Sequence, residues 1–446
     1  MKDLRSFLVQ LKSNGPTYYR SVTRELDQDY DLSILQLKLA WQGLFPAIYV
    51  PKIRGYDYSV VSGLYGNYIN LGVALDLNPT EIVIKGKSCI LSEYLQRQSN
   101  QISPREVLEA DAPVRERVLT GDEVNLLEIP IQKHTEHNRG RFVTAGVTII
   151  RDPETSVINA GIYRQCVLGP NRITLNTVAG HDGARAIRRW HEAGQPAPVV
   201  TFIGHHPATT MAAGYALGQG QSELDYMGAL LAEPLGVVPG AVVDLPIPAR
   251  AEIVLEGIIL PRDQENDGLF SEGMGTYDKG YNAHVITVQA INQRHDAIYQ
   301  DLCPIHQEHA HVNILGREAI ALRKVQEAVP NVQALHIGPD GDVTKANYYI
   351  SINKKAQDDG IKTADAVAAL NAIAKFIVVV DYDIDVYYQP DVLWALTTRY
   401  TGKSQVKQYA NNITAIDATC ALEQPFPTRA LPPKELLNTI DIADYF

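Results

Sequence analysis

With 446 residues, 45% of them hydrophobic and 20% charged, the chain has the composition of a globular protein of two or three domains. A net charge of −11 argues against a nucleic-acid partner, which needs a concentrated basic surface, but leaves room for a local basic pocket holding a small anion. No apolar run approaches the ~20 residues that span a bilayer, and MKDLRSFLVQLKSNGP lacks the form of a signal peptide, so a cytoplasmic protein with no membrane partner is expected. In that opening stretch Leu4, Phe7, Leu8 and Leu11 recur at helical spacing until Gly15-Pro16 stops the helix. The rest of residues 1–110 reads as α+β, with strands at FPAIYV and YSVVSGLYG. Residues 102–131 are acidic, polar and proline-containing, and read as a linker that re-enters a new domain.

From about 140 to 300 strand signals dominate. RFVTAGVTIIRD, NRITLN, APVVTFIG, AEIVLEGIIL and NAHVITVQAI are β-branched runs bounded by Gly, Pro, Asn and Asp. Helical patterns interrupt them at GARAIRRWHEAG and SELDYMGALLAE, which predicts a barrel-like middle domain with inserted helices. After GREAIALRKVQEAV, the runs NVQALHIG, ANYYISINK, KTADAVAALNAIA and KFIVVVDYDIDV alternate as an α/β layer, and LPPKELLNTIDIADYF reads as a terminal helix. The expected division is 1–110, 111–310 and 311–446. The cysteines Cys89, Cys166, Cys303 and Cys420 lie far apart without a CxxC, as reduced cytosolic thiols do.

Three places could carry chemistry. In NAGIYRQ, Arg164 ends a strand among apolar neighbours, where a guanidinium needs either a carboxylate partner or solvent. In VAGHDGARAIRRWHEAG, His181 stands at a helix start followed by Arg185, Arg188 and Arg189; this suits an anion or a metal-phosphate group, or is simply a basic surface helix. In PIHQEHAHVN, His306, His309 and His311 cluster with Glu308, but the spacing is not that of HExxH, so a pocket wall or an ordinary loop outweighs a zinc site. GYALGQGQ is not a dinucleotide fingerprint. The acids of QENDGLFSEG surround Leu269-Phe270, which are expected to pack inward.

Taken in order, NAGIYRQ, GHDG, SELDYMGALLAEP, EGIILPRDQENDGLFSE, KFIVVVDYDIDV and DVLWALTTR resemble the UbiD family of decarboxylases, which use prenylated FMN, over essentially the whole chain. The resemblance implies an N-terminal α+β domain, a split β-barrel like that of flavin reductases, and a C-terminal α/β domain that carries oligomerisation. It places Asn159, His181 and Glu223 on the metal-ligand positions; an amide oxygen, an imidazole and a carboxylate suit Mn²⁺ or Mg²⁺ bridging to the cofactor phosphate. A K⁺ ion often sits nearby in the family, and Ala212, Ala213 and Tyr215, with Glu223, occupy the matching stretch. Lys375 matches a phosphate-pairing lysine, Gly161 and Ile162 would line the isoalloxazine, and Gly180 belongs to the same cofactor segment as His181.

The same resemblance makes Asp267, Arg164 and Glu272 an acid-Arg-acid triad, with Glu272 as proton donor and Arg164 orienting the leaving carboxylate. The family usually has Glu where this chain has Asp267. The shorter side chain either weakens the bond to Arg164 or draws the loop closer, and Glu265 is the alternative acid but breaks the register. The implied reaction is reversible decarboxylation of an aromatic, heteroaromatic or α,β-unsaturated acid, by cycloaddition to the modified flavin or, for phenolic acids, by a simpler electrophilic route. His309 and His311 would face the substrate and favour a polar or heteroaromatic ring, or else face solvent or support their loop. The implied partners are the acid and CO₂, a UbiX-type flavin prenyltransferase as cofactor supplier, and further copies of the chain in a homodimer or homohexamer. Two rivals stand beside this reading: a flavin oxidoreductase sharing only the split barrel, and a non-catalytic subunit of a larger carboxylase.

Overall fold

The computed structural model describes the chain except for residues 216, 218–219, 273–274, 339–344, 371–372, 403–404, 424–429, 431 and 434–446, so the expected terminal helix lies outside the described residues. The chain divides into two compact units. One holds Met1–Pro79 and Ser92–Gly316; the other holds Thr80–Leu91 and the described residues from Arg317 onward.

The first unit opens with the helix Leu4–Ser13. Asp3 and Ser6 form a reciprocal capping box, and Leu4, Phe7, Leu8 and Leu11 are all buried, as their spacing predicts. Ion pairs fix this helix to the strand region that follows it in space: Arg5 bonds Glu252 at 2.9 Å, and Asp3 takes Arg250 at 2.9 Å and Arg294 at 3.3 Å. Tyr19–Ser21, Ala47–Val50 and Ser59–Ser62 form a small sheet whose fourth strand is Ile298–Gln300. The chain therefore returns to the N-terminal sheet after the middle segment. This is why residues on both sides of position 110 share one core, with Ile48, Val50 and Val60 in the same cluster as Val143, Ile173, Ile203 and Tyr299.

The middle segment is a nine-stranded antiparallel sheet. Its order runs Phe142–Val143, Gln165–Gly169, Arg172–Leu175, Asn282–Gln293, Ile253–Asn266, Ala197–Ile203, Val147–Arg151, Ile158–Ile162, with Arg117–Thr120 added alongside Asn282–Gln293. Two links in this order determine its shape. Ile158–Ile162 lies at one end, yet only Tyr163 and Arg164 separate it from Gln165–Gly169, next to the other end. Three Cα steps cover at most about 11 Å. Residues 144–146 make the same jump between Phe142–Val143 and Val147–Arg151. The sheet must curl until its ends approach, although the end strands do not pair with each other among the described residues. Thr144, Tyr163 and Arg164 stand on that seam. The helices Asp182–Glu192 and Glu223–Leu231 fall at the inserted positions, and a further helix, Pro207–Ala213, lies between them in the chain.

In the second unit the strands Val332–Gly338, Asn347–Ile352, Phe376–Asp381, Ile413–Ala418 and Val406–Tyr409 form one mixed sheet, with parallel pairs at its centre. The helices Asp359–Ala368 and Gln389–Arg399 make it an α/β layer. Arg399 is buried and tied to Asp381 and Asp383 at 2.8 and 2.7 Å. No helix among the described residues is long and apolar enough to cross a membrane, and the four cysteines form no disulfide.

Candidate active site

A cavity of about 220 Å³ opens at the seam of the curled sheet, and Thr144, Tyr163, Arg164, Phe270, Glu272 and His309 are among its walls. Arg164 organises it. Its Nε donates to Asp267 Oδ2 at 2.8 Å, and its Nη1 donates to Glu272 Oε1 at 2.6 Å and Asp278 Oδ2 at 3.0 Å. The guanidinium lies over the Phe270 ring at 5.2 Å and the Tyr281 ring at 5.7 Å. Its Nη2 is buried with no partner among the described residues. Burial opposes its charge, but the surrounding carboxylates prevail and push its pKa up.

The acids reach Arg164 through a short hairpin. Phe270–Ser271 pairs with Tyr277–Asp278, Phe270 opposite Asp278, and the Glu272 N–H donates to Thr276 O at 2.8 Å. Glu272 and Asp278 are thereby brought to the same nitrogen. Asp267 stands behind them and is fully buried. It accepts from Arg164 Nε, from Asn176 Nδ2 at 2.7 Å and from the Tyr281 N–H at 2.7 Å. The turn leaving the long strand is tight: Gly280, at φ +81°, would place a Cβ 2.5 Å from Gly268 O. At this turn Asp267 reaches Arg164. Glu265 instead pairs with Arg139 at 3.1 Å.

One expectation fails here. Phe270 is buried and packs on Phe142 with ring centroids 4.6 Å apart, but Leu269 is exposed. Successive residues of a strand face opposite ways, so a strand beginning at Phe270 turns its predecessor outward.

Behind the seam, Glu223 begins the helix Glu223–Leu231, capped by Ser222, and is buried. Its Oε2 accepts from the Ala160 N–H at 2.9 Å, next to Asn159. Burial, seconded by the charge of Asp182, pushes the carboxyl up to about 7. Asn159 Oδ1 is buried with no partner among the described residues and lies 3.2 Å from where a Gly183 Cβ would stand, against the first turn of the helix that His181 caps. An orphaned amide oxygen beside a buried carboxylate is a donor pair that a hard divalent cation satisfies, so these residues fit Mn²⁺ or Mg²⁺. His181 itself is exposed and lines the main cavity. Asn159 also borders a neighbouring cavity of about 170 Å³ with Arg185 and Arg189; these arginines pair with Asp182 and, at 2.5 Å, with Asp152.

The remaining predicted residues are placed as follows. Ile162 lines the main cavity, while Gly161 lies under the Tyr163 hydroxyl, 2.7 Å from where its Cβ would be. Gly180 is exposed at φ +94°. Ala212 and Ala213 end the helix Pro207–Ala213, and Tyr215 packs on Tyr226. Lys375 is exposed before the strand Phe376–Asp381, in the second unit. The histidines diverge: His309 lines the cavity with Nδ1 3.1 Å from Pro304 O, whereas His311 is buried with Nδ1 2.8 Å from Tyr65 O, and His306 packs on Phe45. Glu308 accepts from Gln36, Ser62, and the N–H groups of Gly63 and Cys303. Asp278, Asn176 and Tyr281 were not foreseen. Their only sequence signals are the glycines Gly275 and Gly280 that bracket the hairpin return, and the Asn that ends NRITLN.

Comparison with known proteins gives a consistent result. Residues 105–307 match the UbiD family model, described as the 3-octaprenyl-4-hydroxybenzoate carboxy-lyase Rift-related domain, and residues 312–423 match its C-terminal domain. A phenolic acid decarboxylase of Sedimentibacter hydroxybenzoicus is 28% identical over 417 residues, 89% of this chain and 84% of that one. The structure is similar to that of an evolved dimeric form of the UbiD-class enzyme HmfF from Pelotomaculum thermopropionicum in complex with prFMN, with TM-score 0.89, 29% identity and full coverage of both chains. It is also similar to the vanillic acid decarboxylase of Sedimentibacter hydroxybenzoicus in open form, with TM-score 0.86, 26% identity and 99% coverage of each chain.

Proposed function

Because the chain belongs to the UbiD family of carboxy-lyases, we propose that it releases CO₂ from an aromatic acid, of the phenolic or heteroaromatic kind, using prenylated FMN. The observation that carries this reading is the Arg164 guanidinium, which lines the cavity beside Glu272 while Asp267 and Glu272 hold it in place. A substrate carboxylate entering that cavity meets a fixed planar cation. When bound, prenylated FMN supplies the electron-accepting framework that lets the carbon–carboxylate bond break. Asn159, Glu223 and His181 would hold the divalent cation beside its phosphate, with K⁺ near Ala212, Ala213 and Tyr215, and Lys375 would pair the phosphate. The curled sheet supports a split barrel over 111–310 between an α+β part, 1–110, and an oligomerising α/β part, 311–446.

The chain's own residues account for the proton. Arg164 orients the substrate carboxylate, with the rings of Phe270 and Tyr281 against its guanidinium. Glu272 faces the cavity and gives its proton to the carbon that loses CO₂. Asp267, held by its three donors, fixes the angle of Arg164. A polar ring suits a wall that carries His309 among Thr144, Leu302 and Pro304. We further assign a UbiX-type prenyltransferase as cofactor supplier, a homodimer or homohexamer, and, from four thiols outside any disulfide, the cytoplasm. The rival oxidoreductase needs no such triad. The test is CO₂ release by cofactor-loaded enzyme from hydroxybenzoates, vanillate, furoate, pyrrole-carboxylate and cinnamate. Release from at least one aromatic acid, lost in Arg164→Lys, is expected; release from none contradicts the reading.

A further inference from the structure

The motif PIHQEHAHVN brings His309 to the cavity, but its one acid, Glu308, is not among the cavity walls and has no part in the reading above. Glu308 is fully buried, and its four donors are all neutral. Gln36 Nε2 and the Cys303 N–H donate to Oε1 at 2.9 and 3.0 Å, and the Gly63 N–H donates to Oε2 at 2.8 Å. Ser62 Oγ lies 3.0 Å from Oε1. Among the described residues the basic group within ion-pair reach is His306, at 3.9 Å, and burial holds that imidazole down to about 4. A buried acid without a cation is costly compared with an apolar side chain of similar size, so its place here points to a use.

That use follows from what the carboxyl joins. The strands Ser59–Ser62 and Ile298–Gln300 run parallel as neighbours, and the chain leaves both at the same end. One further backbone bond, Asp301 N–H to Val61 O at 2.8 Å, extends the pairing; beyond it side chains take over. Glu308, at the start of the helical turn Glu308–His311, holds Gly63 on one segment and Cys303 on the other. Asp301 adds a second fastening. Its Oδ2 lies 3.0 Å from Ser62 Oγ, and its Oδ1 accepts from Thr144 Oγ1 at 3.3 Å, which itself accepts the Leu302 N–H at 3.2 Å. Gly63 has φ +79° and a Cβ position 2.6 Å from Pro46 O, so the anchoring backbone is itself packed tightly. Thr144, Leu302, Pro304 and His309 all line the cavity that holds Arg164 and Glu272. That wall is thus clamped from behind, outside the cavity, to the end of an N-terminal strand. Burial pushes the Glu308 carboxyl up to about 7, yet the clamp does not depend on its proton: a carboxyl hydrogen has Ser62 Oγ to bond, and the hydroxyl then bonds Asp301.

We propose that Glu308 is a positioning residue for substrate selection: by tying Cys303 to Gly63 it fixes the wall of Leu302, Pro304 and His309, and so limits the size of the ring admitted beside Arg164. The inference deepens the decarboxylase reading and rests on it for the ligand, an aromatic acid, but not for the clamp.

The test compares full-length, cofactor-loaded wild type with Glu308→Gln and Ser62→Ala. In Glu308→Gln an NH₂ group replaces one oxygen, so either the Gly63 or the Cys303 N–H loses its acceptor. Ser62→Ala removes the hydroxyl between the two acids, and decides the matter if Glu308→Gln does not fold. Amide hydrogen exchange, followed by mass spectrometry, should quicken by about tenfold in peptides covering 301–311 and stay unchanged in those covering Arg164. The acid that wild type uses best, among the hydroxybenzoates, vanillate, furoate, pyrrole-carboxylate and cinnamate, is then compared with its ring-methylated analogue. The ratio of their kcat/KM values should move by about tenfold toward the methylated acid, chiefly through KM, with flavin and Mn²⁺ retained as in wild type. An acid that served stability alone would lower the folded fraction, cut kcat for both acids alike and leave that ratio where it was. An unmoved ratio, or unchanged exchange in 301–311, overturns the proposal. A wild type that releases CO₂ from none of these acids overturns the decarboxylase reading instead, while the exchange of 301–311 still judges the clamp.

Discussion

Arg164 concentrates the consequences of single side chains. A guanidinium that serves two acids from one nitrogen and a third from Nε cannot be replaced by an ammonium, which lacks the planar fork. Glu272→Gln keeps the size and the bond to Arg164 but has no proton to give. CO₂ release or product H/D exchange should fall by about 10²–10⁴ with little change in KM, as measured in steady-state and exchange assays. Glu223 makes a second prediction. Its carboxyl is raised to about 7 by burial, so in metal-free protein it stabilises the fold at low pH, and that contribution is lost as pH rises from 4.5 through 7. Relative to wild type, metal-free Glu223→Gln should gain on the order of 3 kcal/mol between pH 4.5 and 8 in urea unfolding. Mn²⁺ should raise the stability of wild type at pH 8 and leave the variant unmoved. Arg164, Asp267 and Glu272 were legible because an ordered series of motifs carried them. Asp278 was not: no spacing rule says that an acid six residues beyond Glu272 returns to the same nitrogen.

At the level of elements, the sequence showed the strands of the middle segment well, because β-branched runs end at Gly, Pro, Asn and Asp. It concealed where one strand stopped. Ile253–Asn266 continues past AEIVLEGIIL through Pro261, where the register shifts between Ile259 and Gln264 and the residues turn outward. Proline is tolerated at such an irregularity, and the charged outer face looks like loop. Two glycines hold the site's elements at close range. Gly280 combines φ +81° with a Cβ position 2.5 Å from Gly268 O, so Gly280→Ala should open the Asp267 turn and cut CO₂ release more than it lowers the melting temperature. On the helix Glu223–Leu231, a Cβ at Gly228 would collide with Ile102 O. Gly228→Ala should cost about 1–3 kcal/mol by urea unfolding and, by shifting Glu223, should weaken Mn²⁺ binding measured by calorimetry.

Across the whole first unit, acid sensitivity follows from buried imidazoles. His205 and His306 are pushed down to about 4 and His206 to about 3, chiefly by burial. Their unfolded values lie near 6.5, so their stabilisation is complete above that pH and is lost as pH falls. Glu308, like Glu223, is raised to about 7, chiefly by burial and with Asp301 nearby, and works in the opposite sense between 7 and 4.5. Three groups against two, with His284 lowered by burial as well, leave at least about one net proton from pH 6.5 to 4.5, a loss of at least about 1.4 kcal/mol per pH unit in metal-free protein. Below 4.5 the offset ends and the slope should steepen; a stability that rises steadily from pH 6.5 to 4.5 contradicts this assignment. The curl of the sheet, which makes the cavity, was only partly legible. Strand runs were visible, but the short links 144–146 and 163–164 disclose curvature only when the pairing order is known.

The most direct measurement is of the cofactor itself. The chain is co-expressed with a UbiX-type prenyltransferase, purified without oxygen, and examined by mass and UV-visible spectroscopy before an aromatic acid is added and CO₂ collected. The account predicts prenylated FMN retained with Mn²⁺ or Mg²⁺, and CO₂ released from a phenolic or heteroaromatic acid. Protein that retains no flavin, or holds plain FMN that NADPH reduces, contradicts it.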